Sequence, residues 1–126
     1  KPLKSIASSG EMARVMLALK TVLSTQDSIP VLVFDEVDSN VGGETAAVVG
    51  EKMKQIGGNR QVLCITHLAP VAAAGHRHYL VSKEVVEGRT LTRVTQLDGE
   101  SRVEELTRML GGGGAAARQH AEELLS

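Results

Sequence analysis

The chain has 126 residues, a formal net charge of -1, 42% hydrophobic residues and only 2% aromatic residues. This length suits one domain with an aliphatic core, and the low charge gives no general attraction to DNA or acidic membranes. The scarcity of aromatics argues against stacking platforms for single-stranded nucleic acid, and no apolar stretch is long enough to span a bilayer, so we expect no membrane partner. The single cysteine, Cys64, cannot form an internal disulfide, which fits the reducing cytoplasm.

The first predicted element is a helix that follows Ser8-Ser9-Gly10-Glu11. Ser8 and Glu11, three residues apart, match a capping box. Small residues with free N–H groups at a helix N-terminus also suit a phosphate group, so the residues alone leave both functions open. The apolar positions recur with helical spacing at Met12, Val15, Met16, Leu19, Val22 and Leu23.

A short apolar run, Val31 to Phe34, leads directly into two carboxylates, Asp35 and Glu36. The run is entered through Pro30 and is rich in β-branched residues, which predicts a fully buried strand of a parallel sheet. The acids would then lie at the C-terminal end of the strand, where open α/β sheets bind ligands. Such a pair suits a hydrated magnesium ion and a water that attacks phosphate, but a strand ending in solvated acids fits the pattern equally well.

A helix from Glu44 to Ile56 and a second buried strand, Gln61 to Thr66, come next. Strand, helix and strand with short loops predict a βαβ unit with parallel strands. Glu36 and Thr66-His67 should therefore meet at one edge of the sheet. A histidine there can donate a hydrogen bond to a phosphate oxygen, although a lone loop histidine is more often inert.

The rest of the chain is predicted to form a short helix, a β-hairpin with a turn near Gly88, and two further helices around a glycine run. Arg89 and Arg93 on the hairpin could contact DNA, but a solvated face explains them as well. The predicted ranges are 68–75 for the short helix, 78–84 and 91–97 for the strands, and 100–110 and 115–125 for the last helices.

The order of three motifs, Ser8 to Glu11, Val31 to Glu36 and Thr66-His67, resembles the second half of an ABC-type ATPase head. They would be its signature loop, Walker B strand and switch histidine. The glutamate that closes the signature and the run Asp35-Glu36-Val37-Asp38 are similar to those of the SMC class of chromosome and repair ATPases. Within that class, the RecN family of bacterial double-strand break repair proteins is very similar over residues 6–20, 34–38, 61–68 and 108–112.

The resemblance implies a role for each matching residue. Asp35 would hold a magnesium ion through its water shell, Glu36 would orient or deprotonate the attacking water as a general base, and His67 would contact the γ-phosphate. Asp38 would belong to the loop that crosses the dimer interface. The signature residues would contact a nucleotide bound by a second copy, and with Asp38 the nucleotide-binding set is Ser8, Ser9, Gly10, Glu11 and Asp38. The family has glycine where this chain has Ser9, and a side chain there narrows the approach of the backbone to phosphate.

The phosphate-cradling motif G-x-x-x-x-G-K-[ST] does not occur in these residues. In SMC-like proteins it belongs to an N-terminal lobe, which a long coiled coil separates from the C-terminal lobe. The resemblance therefore implies that residues 1–126 form the C-terminal half of an α/β P-loop NTPase head: a parallel βαβ core followed by a hairpin and C-terminal helices. We expect that this lobe alone does not hydrolyse ATP.

The implied function is ATP binding and hydrolysis by a head that dimerises on ATP, in DNA double-strand break repair and recombination. The implied cofactors are ATP and Mg²⁺. The implied partners are the N-terminal Walker A lobe, a second head in a homodimer, and DNA at double-strand ends, in the cytoplasm at the bacterial nucleoid. The alternatives are a chromosome-organising SMC subunit, a transporter-type cassette, and a non-catalytic module for dimerisation or DNA-end bridging.

Overall fold

The computed structural model describes residues 31–35 and 42–126, and before them only Arg14 and Ala18, which are both helical. These two positions lie within the helix predicted after Glu11. The chain divides into two compact units, Lys1–Ala74 (unit 1) and Gly75–Ser126 (unit 2). None of the helices in the described part is long and apolar enough to cross a membrane.

Unit 1 is built on the predicted βαβ arrangement. Its described elements are β1 (Val31–Asp35), α1 (Gly43–Ile56), β2 (Gln61–Ile65) and α2 (Ala69–Ala74). The two strands pair in parallel, with Val31 opposite Gln61 and Asp35 opposite Ile65. The prediction of parallel strands is therefore confirmed, and both strands end at the same edge of the sheet.

The β1–β2 sheet is covered on one face. Leu32 and Phe34 are buried in an apolar core with α1 and α2, which supply Ala46, Val49, Met53, Ile56 and Val71. The alternate positions of both strands are exposed, at 43% for Val31, 63% for Val33, 48% for Leu63 and 56% for Ile65.

The prediction of fully buried strands was thus wrong. An apolar run can be buried on both faces of a sheet, but each face needs an element to cover it. In the described part of the chain, α1 and α2 cover only the face that carries Leu32 and Phe34.

Helices α1 and α2 approach closely at Gly50. A Cβ atom placed on Gly50 would lie 3.0 Å from the Ala74 Cβ and 3.1 Å from the Pro70 carbonyl oxygen. Real Cβ contacts are rarely this short, so the missing side chain lets the two helices pack at this distance.

Unit 2 contains a β-hairpin and two helices. Strands β3 (His78–Val86) and β4 (Arg89–Leu97) pair in antiparallel and precede α3 (Gly99–Met109) and α4 (Ala115–Leu125). The turn residues Glu87 and Gly88 have φ angles of 51° and 75°. Positive φ at both positions is the signature of a two-residue type I′ turn, whose twist matches that of the strands. Both strands extend further toward the turn than predicted: β3 ends at Val86 and not at residue 84, and β4 begins at Arg89 and not at residue 91.

Helix α3 is closed at both ends by local hydrogen bonds. At its start, the Asp98 N–H donates to the Ser101 Oγ at 3.0 Å. At its end, the Gly112 N–H donates to the Thr107 carbonyl at 2.9 Å and the Gly111 N–H to the Arg108 carbonyl at 3.1 Å. This pair of bonds is a Schellman motif, so the glycine run begins as an ordered helix end.

The interior of unit 2 combines apolar and charged groups. Leu106 and Ala121 are fully buried, and Leu97 is nearly so. Glu105 is also buried, and it binds the Arg108 guanidinium through two hydrogen bonds of 2.8 and 2.6 Å. A two-pronged bond of this kind satisfies both carboxylate oxygens, which makes burial of the charge tolerable.

Candidate functional site

The carboxyl edge of the β1–β2 sheet brings two predicted site residues together. Asp35 is the last residue of β1 and lies opposite Ile65, the last residue of β2. The chain then continues through Thr66 to His67. Because neighbouring strands are about 4.8 Å apart, the turn that carries His67 begins beside Asp35.

Asp35 and His67 are both exposed, so their polar atoms are accessible to a ligand at this edge. Leu32 and Phe34 anchor β1 in the core beneath Asp35. A strand that is anchored in the core and ends in a solvent-exposed carboxylate is the arrangement by which α/β sheets present groups to ligands.

The turn between β2 and α2 has a defined conformation. The Leu68 N–H donates to the Thr66 Oγ1 at 3.0 Å, across His67. The Leu68 carbonyl accepts a hydrogen bond of 3.1 Å from the Ala72 N–H and so begins the first turn of α2. The Leu68 side chain packs against the core of unit 1. The residues on both sides of His67 are therefore held in place.

Thr66 was not predicted to have a role of its own at the site. The sequence did contain a signal for it. Thr66 lies two residues before Leu68, whose carbonyl begins the first turn of α2. At such a position a threonine hydroxyl can accept a hydrogen bond from the N–H two residues later. This hydrogen bond can be expected only once the start of the helix is known.

The other predicted site residues lie outside the described residues. Their roles at the signature loop, the general base and the dimer loop stay predictions. They are Ser8, Ser9, Gly10, Glu11, Glu36 and Asp38.

The carboxylate of Asp35 is the kind of hard oxygen ligand that Mg²⁺ prefers. In phosphate sites this ion keeps much of its water shell and takes one or two carboxylates together with the phosphate oxygens. Asp35 at an open edge fits that requirement. Among the described residues there is no cluster of three or more His, Cys, Asp or Glu side chains that could hold a metal.

No family model matches the chain. Curated relatives do: the chain is 49% identical over 126 residues to the DNA repair protein RecN of Deinococcus radiodurans, covering 99% of this chain and 22% of the relative. It is 49% identical over 127 residues to RecN of Treponema pallidum and 43% identical over 127 residues to RecN of Bacillus subtilis, with coverage of 99% and 22% in both comparisons. The chain thus spans 22% of the length of these relatives.

Solved structures show the same fold. The SMC head domain of Thermotoga maritima has a TM-score of 0.56 at 29% identity, over 75% of this chain and 35% of that one. An SMC head with coiled coil and joint from Pyrococcus yayanosii has a TM-score of 0.63 at 22% identity, over 96% of this chain and 20% of that one. A chain from a study of ATP-driven dimerization and DNA-stimulated activation of SMC ATPases has a TM-score of 0.62 at 20% identity, over 87% and 66%. The described elements therefore adopt the α/β fold of an SMC-type head.

Proposed function

Because this chain is homologous to the C-terminal portion of RecN and has an SMC-type head fold, we propose that it is the C-terminal lobe of an ATPase head. This head would bind and hydrolyse ATP with Mg²⁺ and act in DNA double-strand break repair and recombination. The observation that carries the proposal is the placement of Asp35 and the His67 turn at one carboxyl edge of a parallel strand pair. Identities of 43% to 49% to DNA repair proteins favour this role over chromosome organisation or transport.

Each residue at the edge has a proposed task. Asp35 would accept hydrogen bonds from the water shell of Mg²⁺, and Glu36, the next residue, would orient or deprotonate the attacking water. His67 would donate a hydrogen bond to the γ-phosphate. When bound, the metal ion would neutralise charge on the phosphate oxygens.

The uncovered face of the β1–β2 sheet supports a lobe that is completed by another segment. Strands of a parallel sheet are normally covered on both faces, yet one face here exposes aliphatic side chains from both strands. These are Val31, Val33, Leu63 and Ile65. We infer that the N-terminal Walker A lobe of the same protein covers this face and supplies the phosphate-cradling loop.

The remaining partners are those that the family resemblance implies. Ser8 to Glu11 would contact the nucleotide held by a second head, so that ATP joins two heads in a homodimer. DNA ends would be the substrate on which these dimers act, and the cytoplasm at the nucleoid would be their location. The exposed ends of β1 and β2 leave the carboxyl edge accessible for such an encounter.

The test is ATP turnover by this chain mixed with the N-terminal lobe, with and without Glu36→Gln. We expect turnover only in the mixture, and a loss of at least about 100-fold in the variant because the general base is gone. Nucleotide binding should persist, and ATP-bound dimers should accumulate, as measured by sedimentation. Glu51→Gln on the exposed side of α1 is the matched control and should retain wild-type turnover.

Two results would contradict the proposal. Wild-type turnover in Glu36→Gln would remove Glu36 as the base. No turnover in a mixture whose lobes are shown to associate would instead support the non-catalytic module for dimerisation or end bridging.

A further inference from the structure

We propose that Thr66 is a positioning residue, whose side chain fixes the backbone turn that presents His67 at the carboxyl edge. This inference rests on the proposed function, in which His67 contacts the γ-phosphate. It assigns a role to a hydrogen bond that does not involve His67 itself. The bond joins the Thr66 Oγ1 to the Leu68 N–H at 3.0 Å.

The bond spans the residue that it positions. Thr66 and Leu68 flank His67, so closing a hydrogen bond between them turns the chain and sets the direction in which the residue between them points. Thr66 is half-buried, which shields the bond from competing water, whereas His67 is exposed.

Both ends of this turn are anchored to rigid parts of unit 1. On one side, Ile65 is held in the parallel ladder opposite Asp35. On the other side, the Leu68 side chain packs on the core and its carbonyl accepts the Ala72 N–H at 3.1 Å. Only residues 66–68 connect β2 to α2, so the conformation of this turn determines where His67 lies relative to Asp35.

The hydrogen bond that spans His67 fixes the backbone on both sides of this exposed residue, so it also fixes the point from which the His67 side chain extends. A misplacement of about 1 Å in a catalytic constellation can cost as much as 100-fold in rate. Removal of the Thr66 hydroxyl would also leave the half-buried Leu68 N–H without its acceptor, which would favour a different turn.

The test uses the full-length protein and steady-state ATP turnover. Thr66→Val keeps the shape of the side chain and removes the acceptor, and we expect it to lower kcat about tenfold with the KM for ATP changed less than about twofold. Thr66→Ser and Thr66→Asn retain an oxygen that can accept the same N–H and should keep most of the activity.

A matched control lies in unit 2. Thr107 Oγ1 donates to the Val103 carbonyl at 2.7 Å inside α3. Thr107→Val makes the same chemical change and removes a side chain to backbone hydrogen bond of similar length, so its turnover should equal that of the wild type.

A double-mutant cycle separates positioning from general stability. His67→Ala should lower ATP turnover. Adding Thr66→Val to that variant should cause no further loss of turnover, because the side chain that Thr66 positions is gone. If Thr66→Val lowers turnover equally in the wild-type and His67→Ala backgrounds, the inference is overturned. It is also overturned if Thr66→Val has the wild-type kcat while His67→Ala is defective. Wild-type turnover in His67→Ala would overturn the proposed function itself.

Thermal melting checks that the variants are folded. If Thr66→Val does not fold, the comparison moves to Thr66→Asn against Thr66→Ala. Higher turnover in the asparagine variant supports the inference, and equal loss in both overturns it.

Discussion

The two units of this chain use their polar residues in opposite ways. In unit 1, Asp35 and His67 are exposed at the end of a sheet whose core is apolar. In unit 2, charged groups bind each other: Glu105 holds Arg108 in two hydrogen bonds, and Arg118 on α4 binds Glu100 on α3 at 2.6 Å. The proposed site needs polar groups that a ligand can reach, whereas polar groups that satisfy one another stabilise the fold.

Their exposed apolar residues differ as well. Four large apolar side chains are exposed on one face of the hairpin, namely Tyr79, Val81, Val85 and Val94, but Lys83, Thr90, Thr92 and Gln96 share that face. The bare face of the β1–β2 sheet has a denser aliphatic surface. In our proposal the Walker A lobe covers the parallel pair, whereas polar neighbours interrupt the apolar surface of the hairpin face.

The largest expected effect comes from truncating the central core residue of each unit. Ile56 and Leu106 are the largest fully buried side chains in the described part of the chain, one in each unit. Ile56→Ala and Leu106→Ala should each lower the free energy of unfolding by about 2–5 kcal/mol, through lost burial and the cavity left behind. Hydrogen exchange resolved by residue should show the greater loss of protection within the unit that carries the change. If either variant lowers the hydrogen-exchange protection equally in both units, the two units do not unfold separately.

An intermediate effect is expected where α1 meets α2. Gly50→Ala places a Cβ 3.0 Å from the Ala74 Cβ, so the helices must separate, and we expect a loss of about 1–2 kcal/mol in unfolding free energy. Gly43→Ala in the same helix is the matched control, because nothing lies within 4 Å of its Cβ position. It should be neutral or slightly stabilising, since alanine is the better helix former. Denaturant melts of both variants measure the difference, and equal stability would show that the contact can relax.

The smallest effect is a dependence on pH confined to unit 2. Burial lowers the pKa of His78 from its ordinary value of 6.5, the nearby Arg102 lowers it further, and Glu105 acts in the opposite direction. The unfolded chain therefore binds a proton more readily than the folded one. This contribution to stability is complete above pH 6.5 and is lost as the pH falls from there through the lowered pKa.

His78→Gln should remove this part of the pH dependence. The measurement is the free energy of unfolding at about pH 7.5 and about pH 5.5, at constant ionic strength. His120→Gln, at an exposed position of α4, is the control and should keep the wild-type slope. A slope unchanged in His78→Gln would assign the pH dependence to other groups.

The sequence was sufficient to predict which elements form and in what order. The strand–helix–strand pattern determined the parallel pairing, and this pairing brought Asp35 and the His67 turn to one edge. The sequence did not reveal which sheet face the described helices leave exposed, because apolar residues on both faces show only what a strand is able to bury. The sequence of a strand does not show whether the element that covers it belongs to the same stretch of chain.

Local polar chemistry was harder to predict. The sequence indicated no role for Glu105, which is buried and paired with Arg108 one turn later. Asp98 and Ser101 start α3 one residue earlier than expected through a bond to the Ser101 hydroxyl. The spacing of apolar residues reveals the apolar face of a helix or strand, but it does not reveal hydrogen bonds between polar groups. For the same reason the hydrogen bond of Thr66 was not predicted.

The type I′ turn between Glu87 and Gly88 has a consequence for the order in which the chain acquires structure. Unit 2 is made of neighbours in sequence: a hairpin closed by two residues and two helices joined by a short glycine run. The strands of unit 1 pair across a crossover, with Val31 opposite Gln61, so a much longer loop must close first. Local contacts form faster than distant ones. We therefore expect unit 2 to fold early, before the parallel strands of unit 1 have paired.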